Sequence, residues 1–130
     1  NPEPVDVPEL VRGMNDLLQG RPDAAMAWFR KAGSGYGGAG RIMAQHSRGD
    51  DKASRAELDA EIAAYAQGAA YQIAEAYAWR GEADQAFEWL DRAYAQNDGG
   101  LAFIKADPLM ASIRKDPRFA AFLRKMGLPE

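Results

Sequence analysis

Tyr71-Gln72-Ile73-Ala74-Glu75-Ala76-Tyr77-Ala78-Trp79-Arg80-Gly81, continued by Ala86-Phe87-Glu88-Trp89-Leu90, is the stretch that decides the fold. Ile73, Ala74 and Tyr77 fall at helical spacing, as do Ala83, Ala86, Phe87, Leu90, Ala93 and Tyr94 beyond Gly81. Apolar residues at i, i+3, i+4 and i+7 mark the buried face of a helix. Small Ala74 admits a neighbouring helix closely, Tyr77 fills the gap between the pair, and Gly81 makes the turn. Ala86 belongs where the two helices touch, and Leu90 and Ala93 pack on whatever follows. The stretch predicts two helices folded back on each other.

The same order recurs 61 positions earlier as Gly13, Asp16, Gly20, Ala25, Phe29 and Ala32, with Trp28 matching Trp89. A degenerate copy lies 32 positions earlier: Ile42, Gln45, Gly49, Ser54, Leu58 and Glu61. Leu10, Met14, Leu17 and Leu18 share one helix face, and Leu58, Ile62 and Tyr65 share another. The turn glycines Gly20, Gly49 and Gly81 are 29 and 32 residues apart. Past Gly99-Gly100, Asp107-Pro108 and Asp116-Pro117 read as helix starts, since Asp caps a free backbone N–H and Pro needs none at the first position. Phe119, Phe122, Leu123 and Met126 form a face that Gly127 ends, with Leu128 placed to fold back. Two short closing helices are expected over about 107–127.

Composition agrees. The 130 residues are 47% hydrophobic, enough for one domain with a core. Threonine is absent and valine is confined to Val5, Val7 and Val11, which disfavours sheet. With no cysteine and His46 as the one histidine, thiolate metal sites and paired imidazoles are excluded. A net charge of −3 does not suit a nucleic-acid binder. The basic residues Lys105, Arg114, Lys115, Arg118, Arg124 and Lys125 alternate with apolar ones and read as a solvated face. No run suits a membrane span, and no leader pattern opens the chain. Residues 1–8, with three prolines, read as an extended linker stub. The start at Asn1 in place of Met suggests a domain cut from a longer protein.

The pattern of small residue, Tyr77, Gly81, Ala86, Leu90 and Ala93 resembles the tetratricopeptide repeat (TPR), whose period is 34 residues. The resemblance spans roughly residues 9–96. It implies an all-α, right-handed superhelical stack of three helix-turn-helix repeats, about 9–33, 37–66 and 68–96, plus the two closing helices, in a domain of residues 9–130. Together with Gly99-Gly100-Leu101, Asp107-Pro108-Leu109 and Asp116-Pro117-Arg118-Phe119, it also resembles the C-terminal TPR segment of bacterial multidomain regulators. There such a segment follows a winged-helix, adenylate-cyclase or protein-kinase domain. The implied function is a protein-interaction or scaffolding module, with homo-oligomerisation (a homodimer) or small-ligand sensing as the alternatives. Neither catalytic residues, a cofactor nor a metal is expected. The expected compartment is the cytoplasm, or the periplasm if a membrane helix precedes residue 1.

In this family the first helix of each repeat lines a concave groove. Carried onto this chain, the groove comprises Leu10, Met14 and Leu17, then Ala39, Met43 and His46, then Tyr71, Glu75 and Ala78. Tyr71 and Trp79 fall off the stripe of Ile73, Ala74 and Tyr77, and are the expected aromatic anchors. The set holds no lysine or arginine, so it suits an apolar, methionine-contacted segment with a basic residue near Glu75, and not a terminal carboxylate. Gly33-Ser34-Gly35-Tyr36-Gly37-Gly38-Ala39-Gly40 contains a G-x-G-x-x-G, but lacks the preceding strand of a phosphate cradle. It is expected to be a mobile inter-repeat connection. His46 with Asp50, Asp51 or Glu57 reads as surface chemistry, and the acidic residues interleaved with Lys52 and Arg55 as a solvated helix face.

Overall fold

The computed structural model describes residues 6–32 and 34–129, and among them every regular element is helical. Contacts divide the chain into two compact units, Asn1–Tyr65 and Ala66–Glu130. The first contains α1 (Asp6–Leu18), α2 (Pro22–Lys31), α3 (Ser34–Ser47) and α4 (Asp51–Tyr65). The second contains α5 (Ala70–Trp79), α6 (Ala83–Ala95), the 3₁₀ segments η1 (Gly99–Ala106) and η2 (Pro108–Ile113), and α7 (Pro117–Lys125). No helix among the described residues is long and apolar enough to cross a membrane.

The turns follow from local chemistry. Gly20, Gly49, Gly81 and Gly127 all have φ between 76° and 87°. Each carries the paired backbone bonds that close a helix end, such as Gly81 N–H to the Ala78 carbonyl and Glu82 N–H to the Tyr77 carbonyl. Asn97, at φ 54°, ends α6 in the same way without a glycine. Gly127 stops α7 with Leu128 N–H bonded to the Leu123 carbonyl, as the tail pattern predicts.

Two expectations give way here. Helix α1 begins at Asp6, inside the stretch read as a linker through Pro8. Pro8 falls in the first turn, where a missing N–H costs no helical hydrogen bond. Residues 1–5 lie outside the described residues. The glycine-rich segment is not a connection either: from Ser34 onward it is the first half of α3, and Gly37, Gly38, Ala39 and Gly40 are buried. Gly33 lies outside the described residues. Packing explains the helix. A Cβ on Gly40 would strike the Phe29 ring, one on Gly13 of α1 would lie 2.5 Å from it, and one on Gly37 would strike the Phe29 carbonyl. Glycine costs roughly 1 kcal/mol in a helix relative to alanine. Burying Phe29, fully enclosed here, contributes about 2–3 kcal/mol and offsets it.

In the degenerate repeat, buried Ser54 stands where its counterparts are Ala25 and Ala86. Its hydroxyl donates to the Ile42 carbonyl at 2.7 Å, so no buried donor is left unmet.

In the second unit α5 is buried along nearly its whole length, with Ala70, Ile73, Ala74, Ala76 and Ala78 inaccessible. It packs on α6, on η1 and on η2. The Asp-Pro starts behave as predicted: the Asp107 side chain accepts from Leu109 N–H and that of Asp116 from Arg118 N–H. The first closing helix, η2, is 3₁₀, and a further 3₁₀ piece that the pattern did not indicate, η1, precedes it from Gly99; the two insert Leu101, Ile104, Leu109, Met110 and Ile113 into the core.

Candidate functional site

Helix α1 carries more apolar residues than its packing partners cover. Val11 is 63% exposed and Leu18 45%, beside half-buried Leu10 and Met14. Together with Arg12 and Asn15 they line an open depression of about 440 Å³. Arg12 closes one edge, its guanidinium 4.9 Å from the Trp28 ring centre, and Lys31 approaches the same ring at 5.0 Å. The depression is apolar on its floor and basic at this edge, a combination that holds an apolar side chain beside an acidic or polar one.

The predicted groove residues fall in different settings. Leu10 and Met14 line the depression. Leu17, Ala39 and Met43 are core of the first unit, at most 3% exposed. His46, half-buried, lies 3.3 Å from the Asp51 carboxylate near the α3–α4 turn. Tyr71, Glu75 and Ala78 are not on an open face. Tyr71 is 2% exposed, so it is not the exposed anchor its position off the stripe suggested. Its backbone N–H donates to Asp98 Oδ2 at 3.1 Å and its hydroxyl to Asp107 Oδ2 at 2.6 Å. Gly100 lies against its ring so closely that a Cβ would come within 2.7 Å. Glu75 hydrogen-bonds Asp107, and the Ser112 hydroxyl donates to the Ala78 carbonyl. The segment η1–η2 thus occupies the face those three residues were expected to offer. Trp79 is half-buried.

Sequence reasoning missed Val11 and Leu18 as surface residues. The available signal was the width of the α1 stripe. Residues 10, 11, 14, 17 and 18 are all apolar, and together they cover more of the helix circumference than one neighbour buries.

Two buried acids stand out electrostatically. Glu61, 4% exposed on α4, rests against Gly38, and one of its carboxylate oxygens has no hydrogen-bond partner. Burial raises its pKa to about 7, against the pull of Arg41 and with the push of Glu57. Arg41 is itself bonded to Glu57 at 3.0 Å. Glu75 on α5 is held well above the ordinary carboxylate range, first by burial and then by its hydrogen bond to Asp107 and the charges of Asp107 and Asp98. Among the described residues no group of three His, Asp or Glu side chains could hold a metal ion.

The basic tail is engaged within its own unit. Arg118 meets Asp84 at 2.8 Å and Lys125 meets Asp91 at 3.2 Å, while Arg114 donates to the Asp107 carbonyl at 2.6 Å. Arg118 also covers the Phe87 ring and Lys125 the Tyr94 ring. A shallow hollow of about 220 Å³ lies between these contacts, floored by Phe87 and Phe122.

No protein-family model matches the chain, and no curated protein or solved structure does.

Proposed function

We propose that the chain is a tetratricopeptide-type protein-interaction module that receives an apolar segment of a partner protein on the open face of α1. Three cross-links in the second unit support the repeat reading. Ser112 to Ala78, Arg118 to Asp84 and Lys125 to Asp91 each join residues 34 apart, the tetratricopeptide period. In this reading the closing segment is a fourth repeat with a 3₁₀ first helix, and the repeats are of the right-handed superhelical type. The role is scaffolding, not catalysis, within a bacterial regulatory protein, and the partner is a protein or peptide, not nucleic acid.

The observation that carries the binding surface is the exposure of Val11 and Leu18 next to Leu10 and Met14. A contiguous apolar strip of this kind on a helix face suits an amphipathic helix with anchors one turn apart. Peptides selected from a random library against the intact chain test it. Val11→Asp and Leu18→Asp should each weaken the selected peptides at least tenfold while leaving the circular dichroism spectrum unchanged. Peptides that bind both variants as well as the parent would remove α1 from the reading. Light scattering across concentrations identifies the alternative occupant: a dimer that Val11→Asp dissociates would give this face to a second copy.

A further inference from the structure

Tyr71 is held from both ends of η1. Asp98, just before η1, accepts its backbone N–H, and Asp107, just after, accepts its hydroxyl. The same two carboxylates cap the segment's own helices, through Gly100 N–H at 2.9 Å and Leu109 N–H at 2.9 Å. Arg114, bonded to the Asp107 carbonyl and near that of Ile104, ties the end of η2 back to η1. Residues 98–114 are therefore a strap with internal cohesion, attached to α5 at Tyr71, Glu75 and Ala78.

Asp107 accepts from Leu109 N–H on one oxygen and from Tyr71 O–H on the other. It is an acceptor throughout, so its hydrogen bond with Glu75 needs a proton carried by Glu75. If that proton leaves for solvent, two carboxylates face each other beside a third, Asp98, in a buried site. Arg114 acts on the neighbouring Tyr71, and its described bonds go to backbone carbonyls. From α6 the packing is apolar, through Ala86, Leu90 and Ala93. Nothing from that side compensates a second charge.

We propose that residues 98–114 are a strap latched to α5 by a proton shared between Glu75 and Asp107, and that loss of the proton opens the strap and uncovers the face of Tyr71, Glu75 and Ala78. The strap is suited to local opening. Short 3₁₀ helices have poorer hydrogen-bond geometry than α-helices. The conformational entropy of ordering such a segment is comparable to what its buried side chains gain. A single interaction can therefore set the balance.

Linkage gives the sign and the slope. Closed, Glu75 keeps its proton; open, in water, it titrates as an ordinary glutamate near 4.5. Between those two values each pH unit makes opening tenfold more favourable, and opening stops depending on pH once the closed-state value is passed. The strap is tightest in acid and loosens as pH rises.

Amide hydrogen exchange on the whole chain at pH 5.5, 6.5 and 7.5 reads this directly. After correction for intrinsic exchange, protection across residues 99–113 should fall as pH rises, by up to about tenfold per pH unit. Protection of the α6 core amides should stay constant. In Glu75→Gln, which keeps a donor toward Asp107 and has nothing to ionise, strap protection should be independent of pH. A flat profile in the parent overturns the proposal. So does an equal slope in Glu75→Gln, or an equal fall in α6, which would mean the strap does not open by itself. If Glu75→Gln does not fold, side-chain carboxyl carbon shifts of the parent decide. A Glu75 midpoint in the ordinary carboxylate range overturns the latch, and one well above it sustains the proposal. None of these readouts involves the α1 face.

Discussion

The two units solve one packing problem with different residue sizes. In the second, the repeat pattern places Ala74 opposite Leu90 and Ala70 opposite Ala93, and all four are fully buried. At the matching positions of the first, the pairs are Gly13 with Phe29 and Gly38 with Glu61. One member of each pair has grown and the other has lost its Cβ: a methyl on Gly13 would strike the Phe29 ring, and one on Gly38 the Glu61 carboxylate. The spacing between helices is thus a shared property of the pair. Glycine in α1 and α3 is a steric response to the residue opposite, not a sign of flexibility.

The largest expected effect lies at the alanine contact of the second unit. Ala86→Asp should cost on the order of 4 kcal/mol, enough to remove cooperative unfolding of residues 66–130, because a buried carboxylate gains no partner there. Ala86→Ser copies the first unit's Ser54 and should cost about 1 kcal/mol or less, provided a helix carbonyl is in reach as Ile42 is for Ser54. Urea denaturation followed by circular dichroism separates the two. Near-equal midpoints for Asp and Ser would place Ala86 at the surface.

A smaller effect tests the compensation itself. Gly13→Ala gains about 1 kcal/mol of helix propensity. It also overpacks Phe29 at a cost of about 1–3 kcal/mol, for a net loss. Adding Phe29→Leu recreates the second unit's Ala74–Leu90 pair. The double variant should be clearly more stable than the sum of the two single changes. Additive behaviour would show that the pairs are not coupled.

The last effect depends on pH. Folding raises the pKa of Glu61 from 4.5 to about 7, so folded Glu61 keeps its proton where the unfolded chain has lost it. Its contribution is fully favourable below pH 4.5, and stability then falls as pH rises until the folded value near 7 is passed. Glu61→Gln removes that penalty. It should change stability little at pH 4.5 and raise it by on the order of 1–2 kcal/mol at pH 8. Denaturant midpoints at both values check this, and an equal change at both would mean that Glu61 titrates normally in the folded chain.

The parts of this architecture that the sequence discloses are those written within a few residues. Gly20, Gly49 and Gly81 announce the turns because a positive φ is costly for other residues. Asp107-Pro108 and Asp116-Pro117 announce helix starts because the cap bond reaches only two residues on. Helical periodicity located the hairpins for the same reason. Ser34 to Gly40 misled because its local preference opposes helix, and what reverses it is Phe29 on another element. Tyr71 misled because its position relative to Ile73 and Tyr77 shows which side of α5 it occupies, but not what lies there.

By itself, then, the sequence determined the helical hairpins, their turns and the caps of the tail, since each rests on backbone geometry and hydrogen bonds spanning at most five residues. Tertiary structure alone decided which apolar faces stay open and which acids are enclosed. Tyr71 is buried by Asp98 and Asp107, 27 and 36 residues further on, and Val11 and Leu18 remain exposed because no described element packs over them. Burial is set by what the rest of the chain brings to a face. A carboxyl group's charge state follows from that burial, so neither is fixed by the residue type or its immediate neighbours.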